Sequence, residues 1–379
     1  MKRALVILIT WVLVLGGIAA SQTRVAVTDS LDTWIGQMIM VGFRGCALEA
    51  NDPILEQIRD LNLGGVILFD YDVPLRSPVR NIESPDQVRE LVRTLQSAAR
   101  IPLLVAIDQE GGRIARLKPS RGFPATRSEA SLGALDNEDS TRANARLIAT
   151  TLRAPGINVN FAPVLDLAVN PDNPVIARLE RSYGRDPDLV TRHGRWVIEE
   201  FHEAGVASAV KHFPGHGSSR KDSHVGLPDV TVYWSPLELA PFAALIGEGL
   251  PDMVMIAHLY NRRWDAVHPA TLSRAVVTGM LRDSLGFDGV VVTDDLQMKA
   301  IRDSYDLAET VKLTVIAGAD ILLFANNSIY DPDVAEKTFR IMKDLVARGV
   351  ISRERVRASY RRIMRLKERL VSGWNHEKK

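Results

Sequence analysis

Residues 84–108 read SPDQVRELVRTLQSAARIPLLVAID, a helix pattern followed by a strand pattern that stops on a carboxylate. Ser84-Pro85-Asp86-Gln87 has the order of a helix start, with a hydroxyl cap, proline in the first turn and a side-chain amide three residues after the cap. Val88, Leu91, Val92 and Leu95 then recur at three- and four-residue spacing, which places them on one helical stripe. Residues 103–107 are apolar without a break, as in strands covered on both faces. Such a strand belongs to a parallel sheet, and the helix is its cover.

Similar apolar runs occur along the whole chain, at 38–43, 66–69, 103–107, 159–161, 206–210, 253–256, 290–292 and 321–324. Helical patterns fill several intervals between them, and the last, residues 353–370, runs nearly to the end. Eight alternating units fit a closed (β/α)8 TIM-type barrel better than an open doubly wound sheet, and no Gly-x-Gly-x-x-Gly turn follows the first strand. No linker rich in Pro, Gly or Ser divides the chain, so residues 22–379 are expected to form one catalytic domain.

Composition narrows the chemistry. The 379 residues are 46% hydrophobic and 25% charged, which suits a packed core and excludes global disorder. Lys and Arg number 47 against 46 Asp and Glu, leaving no cationic surplus for a nucleic acid partner. No obligate protein partner is evident. Cys46 is the one cysteine, so disulfides and multi-thiolate metal sites are excluded and the thiol reads as a small core residue. Lys2 and Arg3, an apolar run over 4–15 and small residues from Gly16 to Ser21 have the order of a secretory signal, residues 1–21. Export to the periplasm or beyond is expected, with an uncleaved membrane tether as the alternative.

In such a barrel chemistry sits on the loops after the strands. The expected strands deliver Asp108, Asp166, Lys211-His212, His258, Thr293-Asp294-Asp295 and Asn326-Asn327 to one rim. Each alone could be a hydrogen-bonded cap; six together point to a site. KHFPGHGSSRKDSH, residues 211–224, holds three of the eight histidines. Its glycines and serines make it a loop, not a helical i, i+4 zinc site. Asp222 stands two residues before His224, close enough to orient the imidazole. His212 and His216 could instead pin the loop by hydrogen bonds, and a metal site from His212, His216, Asp222 and His224 is a further alternative.

In order, the motifs IGQMIMVGF (35–43), AIDQEGGR (106–113), NFAPVLD (160–166), RSYGRDP (181–187), KHFPGHG with DSH, HPATLS (268–273) and GFDGVVVTDDLQM (286–298) resemble glycoside hydrolase family 3, and within it the β-N-acetylglucosaminidases. The resemblance implies a single barrel without the second α/β domain that many members carry. It implies Asp294 as the nucleophile, His224 as the general acid/base with Asp222 as its partner, and Asp108, Arg181, Lys211 and His212 as ligands of the terminal sugar's hydroxyls. Two local departures stand out: Glu180 precedes Arg181, and Ser218-Ser219-Arg220-Lys221 makes the stretch before DSH basic, which bears on the leaving-group side.

A retaining glycosidase needs an ionised nucleophile and a proton donor at the leaving oxygen. Imidazole, titrating near 6.5, can give a proton and later take one, provided a carboxylate fixes its tautomer. Lys211 is expected to hold Asp294 ionised, and Asp295 is expected to be a hydrogen-bonding neighbour. The glycine-flanked loop is expected to close over substrate, leaving His224 displaced in the unliganded protein. The leading expectation is an exported exo-β-N-acetylglucosaminidase acting on cell-wall-derived disaccharides or muropeptides without metal or organic cofactor. The alternatives are a β-glucosidase or β-xylosidase, a β-N-acetylglucosaminide phosphorylase, or a non-catalytic sugar-binding barrel.

Overall fold

The computed structural model describes residues 29–372; the expected secretory segment, residues 1–21, lies outside them. Eight parallel strands follow in chain order: β1 Ile39–Gly42, β2 Gly65–Ile67, β3 Leu104–Ile107, β4 Val159–Asn160, β5 Ala207–Phe213, β6 Met253–Ile256, β7 Val290–Thr293 and β8 Leu322–Phe324. Each pairs with its sequence neighbour up to β7, and β8 returns to β1. Val292 bridges to Ile321, immediately before β8, and closes the ring. The result is a (β/α)8 barrel in which every expected apolar run supplies a strand.

Helix Pro85–Ala98 shows how the local code is read. Ser84 Oγ accepts the Gln87 N–H at 3.3 Å, while Gln87 Oε1 reaches back to accept the Glu83 N–H at 2.8 Å. Val88, Leu91, Val92 and Leu95 are all buried, so the stripe faces the core. At Cys46, burial pushes the thiol up to about 11, and its Sγ lies 3.5 Å from the Arg80 carbonyl. It is half-buried rather than a core residue.

One strand differs from expectation. β5 continues through Lys211, His212 and Phe213 instead of stopping at Val210. Its register against β6 slips between Val210 and Phe213. In a regular pleat neighbouring side chains alternate faces; at this irregularity Lys211 and His212 both line the same cavity.

Helix Arg353–Ser372 seals the opposite end, at the N-terminal ends of the strands. Buried Asp320 accepts from Arg282 Nη2 at 2.5 Å, Ser359 Oγ at 2.6 Å and the Val291 N–H at 2.9 Å. Lys367, also buried, donates to Gln37 Oε1 at 2.5 Å and the Gly64 carbonyl at 2.8 Å. Both acceptors are neutral, and burial pushes the Lys367 ammonium down to about 7. An unfolded lysine titrates near 10.4, so between these values the unfolded chain binds more protons and stability rises with pH. Urea unfolding from pH 7 to 10 should therefore show the wild type gaining stability relative to Lys367→Met as pH climbs. A difference that stays flat would refute the buried-ammonium account.

Candidate active site

The loops at the C-terminal ends of the strands enclose a cavity of about 540 Å³. Its walls carry all seven side chains expected from the sequence: Asp108, Arg181, Lys211, His212, Asp222, His224 and Asp294.

One wall is a run of buried charges. Lys211 Nζ lies 2.7 Å from Asp108 Oδ1 and 2.6 Å from Glu110 Oε1. Glu110 in turn takes Arg181 through a two-pronged pair, Nε to Oε2 at 2.7 Å and Nη2 to Oε1 at 2.8 Å. Arg181 Nη2 also meets His212 Nε2 at 3.2 Å. A guanidinium only donates, so Nε2 must accept and the His212 proton sits on Nδ1, which donates to Asp166 Oδ2 at 2.6 Å. Burial opposes ionisation of Asp108, Glu110 and Asp166, yet neighbouring cations and imidazoles hold all three below the usual carboxylate range.

Asp294 closes strand β7 from below the cavity. Its Oδ1 accepts the Asp295 N–H at 2.8 Å, and the residue lines the cavity. Burial pushes its carboxyl up, but His258, His212 and His224 together with that N–H bring it below its ordinary value. Lys211, expected in that role, is paired with Asp108 and Glu110 instead, so that expectation is corrected. Next to it, burial pushes Asp295 up to about 6. Asp295 accepts the N–H groups of Gln297 at 3.1 Å and Ala325 at 2.9 Å, the structural role foreseen for it. His258 Nε2 donates to the Asp295 carbonyl at 2.9 Å and so braces the same turn.

His224 lies across the cavity on the 214–226 loop. Its Nδ1 bonds Asp222 Oδ1 at 2.8 Å, and its side chain is 63% exposed. The hydrogen bond to Asp222, against some desolvation and with help from Asp294, raises its pKa above the ordinary histidine value.

Several expectations need correction. His216 pins the loop through its backbone, whose N–H donates to Asp166 Oδ1 at 2.6 Å; among the described residues its ring nitrogens have no partner. Among the described residues no three of His, Cys, Asp and Glu come together as metal ligands. Glu180 turns outward to Arg113 at 3.4 Å and leaves Arg181 to Glu110. Arg220 stacks over Tyr233 at 4.1 Å, and neither it nor Lys221 lines the cavity; Lys299 and Arg302 do. Glu110 is the important omission. It stands two residues after Asp108 in DQEGGR, and in a loop spacing alone does not say which carboxylate faces inward.

With the geometry in place, the comparisons decide the family. The glycosyl hydrolase family 3 N-terminal domain matches residues 30–366. The chain belongs to glycoside hydrolase family 3. It is 36% identical to a beta-hexosaminidase of Tolumonas auensis, covering 76% of this chain and 83% of that protein. It is 34% identical to beta-hexosaminidase A of Pseudoalteromonas piscicida over 93% of this chain, but spans only 63% of that longer protein. A family 3 beta-N-acetylglucosaminidase from Paenibacillus sp. str. FPU-7 superposes with a TM-score of 0.83 at 40% identity, covering 91% of this chain and 63% of the other. The shared barrel therefore accounts for about two thirds of these two longer proteins.

Removing one partner of a buried ion pair strands the other, typically at about 3–5 kcal/mol. Glu110→Gln should accordingly lower the unfolding free energy by about 3 kcal/mol in urea titration. A loss below about 0.5 kcal/mol, the range of ordinary surface changes, would show that Glu110 does not hold the wall.

Proposed function

We propose that the chain is a retaining exo-β-N-acetylglucosaminidase, a β-N-acetylhexosaminidase, that removes terminal non-reducing N-acetylglucosamine from peptidoglycan-derived saccharides. The observation that carries this reading is one cavity lined both by Asp294, whose carboxyl lies below its ordinary value, and by His224, bonded to Asp222 and raised above the ordinary histidine value. The names of the relatives support the sugar, and the apolar stretch within residues 1–21 supports export to the periplasm or outside.

The proposed reaction runs in two displacements. Asp108, Lys211, Arg181 and His212 hold the terminal sugar's hydroxyls. Asp294 Oδ2 attacks C1 and the C1–O bond to the leaving group breaks. Because Nδ1 is held by Asp222, His224 delivers its proton from Nε2 to the departing oxygen. In the second step neutral Nε2 takes a proton from water as the water oxygen attacks C1 and frees Asp294. The exposed position of His224 supports a loop that closes on substrate before the first step.

Release of p-nitrophenol from the N-acetylglucosaminide, but not the glucoside or xyloside, and without phosphate dependence, is the expected result. A fluorinated mechanism-based sugar should label Asp294; label on another residue, or none, would sink the mechanism. His224→Ala should cost about 10²–10⁴ in rate with a poor leaving group and far less with p-nitrophenol; equal losses would remove His224 from the acid role.

The pH profile gives an independent check. Acid catalysis needs protonated His224, so activity should fall as pH rises through a pKa above the ordinary 6.5. Asp222→Asn should move that basic limb to lower pH because the hydrogen bond that raises the value is weakened. An unmoved limb would assign it to another group.

A further inference from the structure

His216 has no role in the reaction as derived, yet its surroundings are unusual. The residue is only 3% exposed and lines the cavity. Among the described residues neither Nδ1 nor Nε2 has a hydrogen-bond partner. A buried polar atom left unpaired costs about 1–3 kcal/mol, so an imidazole with two such atoms is a poor choice for a merely structural wall. The rest of the loop root is well satisfied: the His216 N–H goes to Asp166, and its carbonyl accepts Asn173 Nδ2 at 2.8 Å. The ring meets the His212 ring edge-on, centroids 5.8 Å apart, and interacts electrostatically with Asp222. It therefore neighbours both the hydroxyl-binding wall and the acid/base pair.

We propose that His216 is a further substrate-binding residue whose ring hydrogen-bonds the sugar held in this cavity, and this rests on the glycosidase reading above. Burial holds the imidazole neutral, its pKa pushed down to about 4, so at working pH it offers one N–H donor and one lone pair. The wall beside it is built of ion pairs. His216 adds an uncharged donor and acceptor, suited to an amide or hydroxyl on the same sugar. It binds rather than transfers protons, so its removal acts on KM more than on kcat.

The test compares wild type, His216→Phe and His216→Gln on the aryl N-acetylglucosaminide, with thermal unfolding and calorimetric titration of free N-acetylglucosamine. His216→Phe should raise KM, and weaken N-acetylglucosamine binding, by about tenfold, the scale of one hydrogen bond. Its Tm should stay level or rise, because an unpaired buried imidazole has been removed. His216→Gln, which keeps a donor and an acceptor, should recover much of the affinity. Unchanged KM and binding, or a lowered Tm in His216→Phe with no recovery in His216→Gln, would overturn the proposal. A wild type that binds N-acetylglucosamine without turning over the glycoside would fail the function above while leaving this binding comparison decisive. A wild type that does neither overturns both.

Discussion

Buried opposite charges that must neutralise one another govern how this barrel mouth is built. Lys211 and Arg181 could not be kept out of water without Asp108 and Glu110 beside them, because an isolated buried charge costs several kcal/mol. The partners come from different places: Asp108 and Glu110 follow β3, Lys211 lies in β5, and Arg181 is on the long segment after β4. The register that brings β3, β4 and β5 side by side is thus the condition for a neutral wall. His212 extends the run to Asp166 after β4, so the charged wall and the closure of the barrel are one problem.

Residues of one type take different roles because their surroundings differ. Asp294 and Asp295 are adjacent, yet the first lies below its ordinary value while burial pushes the second up to about 6. Among the histidines, His216 and His258 are driven toward the neutral form by burial, and His224, paired to Asp222 and largely exposed, is raised. Under the proposed mechanism a single acid, a single nucleophile and several neutral hydrogen-bonding groups arise without any change of side-chain type. The wall cations also have their own carboxylates, so they offer little opposition to the positive charge that develops at C1 during glycoside cleavage.

Much of this was legible in the sequence. Doubly covered strands announce themselves by uninterrupted apolar runs, and a strand end fixes where a side chain will emerge, so Asp108 and Asp294 could be placed on the rim directly. The illegible parts share a physical cause. Glu110 sits in a turn, where no period says which way a side chain points. The continuation of β5 through Lys211 and His212 depends on a register slip against β6, a property of two strands rather than one. The source of Asp294's stabilisation was misread because net attraction depends on what else a cation touches, and Lys211 already had two partners. Glu180 and Arg220 looked informative as departures from a motif, but both turn outward.

The loop that carries His224 is anchored unequally at its two ends. Toward its start, the Ser218 N–H binds Glu238 Oε2 at 3.0 Å, Asn173 Nδ2 reaches the Gly217 carbonyl at 3.0 Å and Asn170 Nδ2 the Ser219 carbonyl at 2.8 Å. Gly217 is pressed so close to the Leu167 carbonyl that a Cβ there would lie 1.8 Å from its oxygen, so this end cannot shift without disturbing the segment after β4. Beyond Arg220 the internal bonds are local ones around Asp222, and the segment touches the nucleophile side through the Ala300 N–H to the Ser223 carbonyl at 3.3 Å. Gly226, with open space around it, ends the stretch. The proposed closure would be a swing of residues 220–226 about a fixed root. Asp222 and His224 both lie within that stretch, so their mutual bond would survive that movement, and the proposed proton donor would reach the leaving oxygen with its tautomer already set.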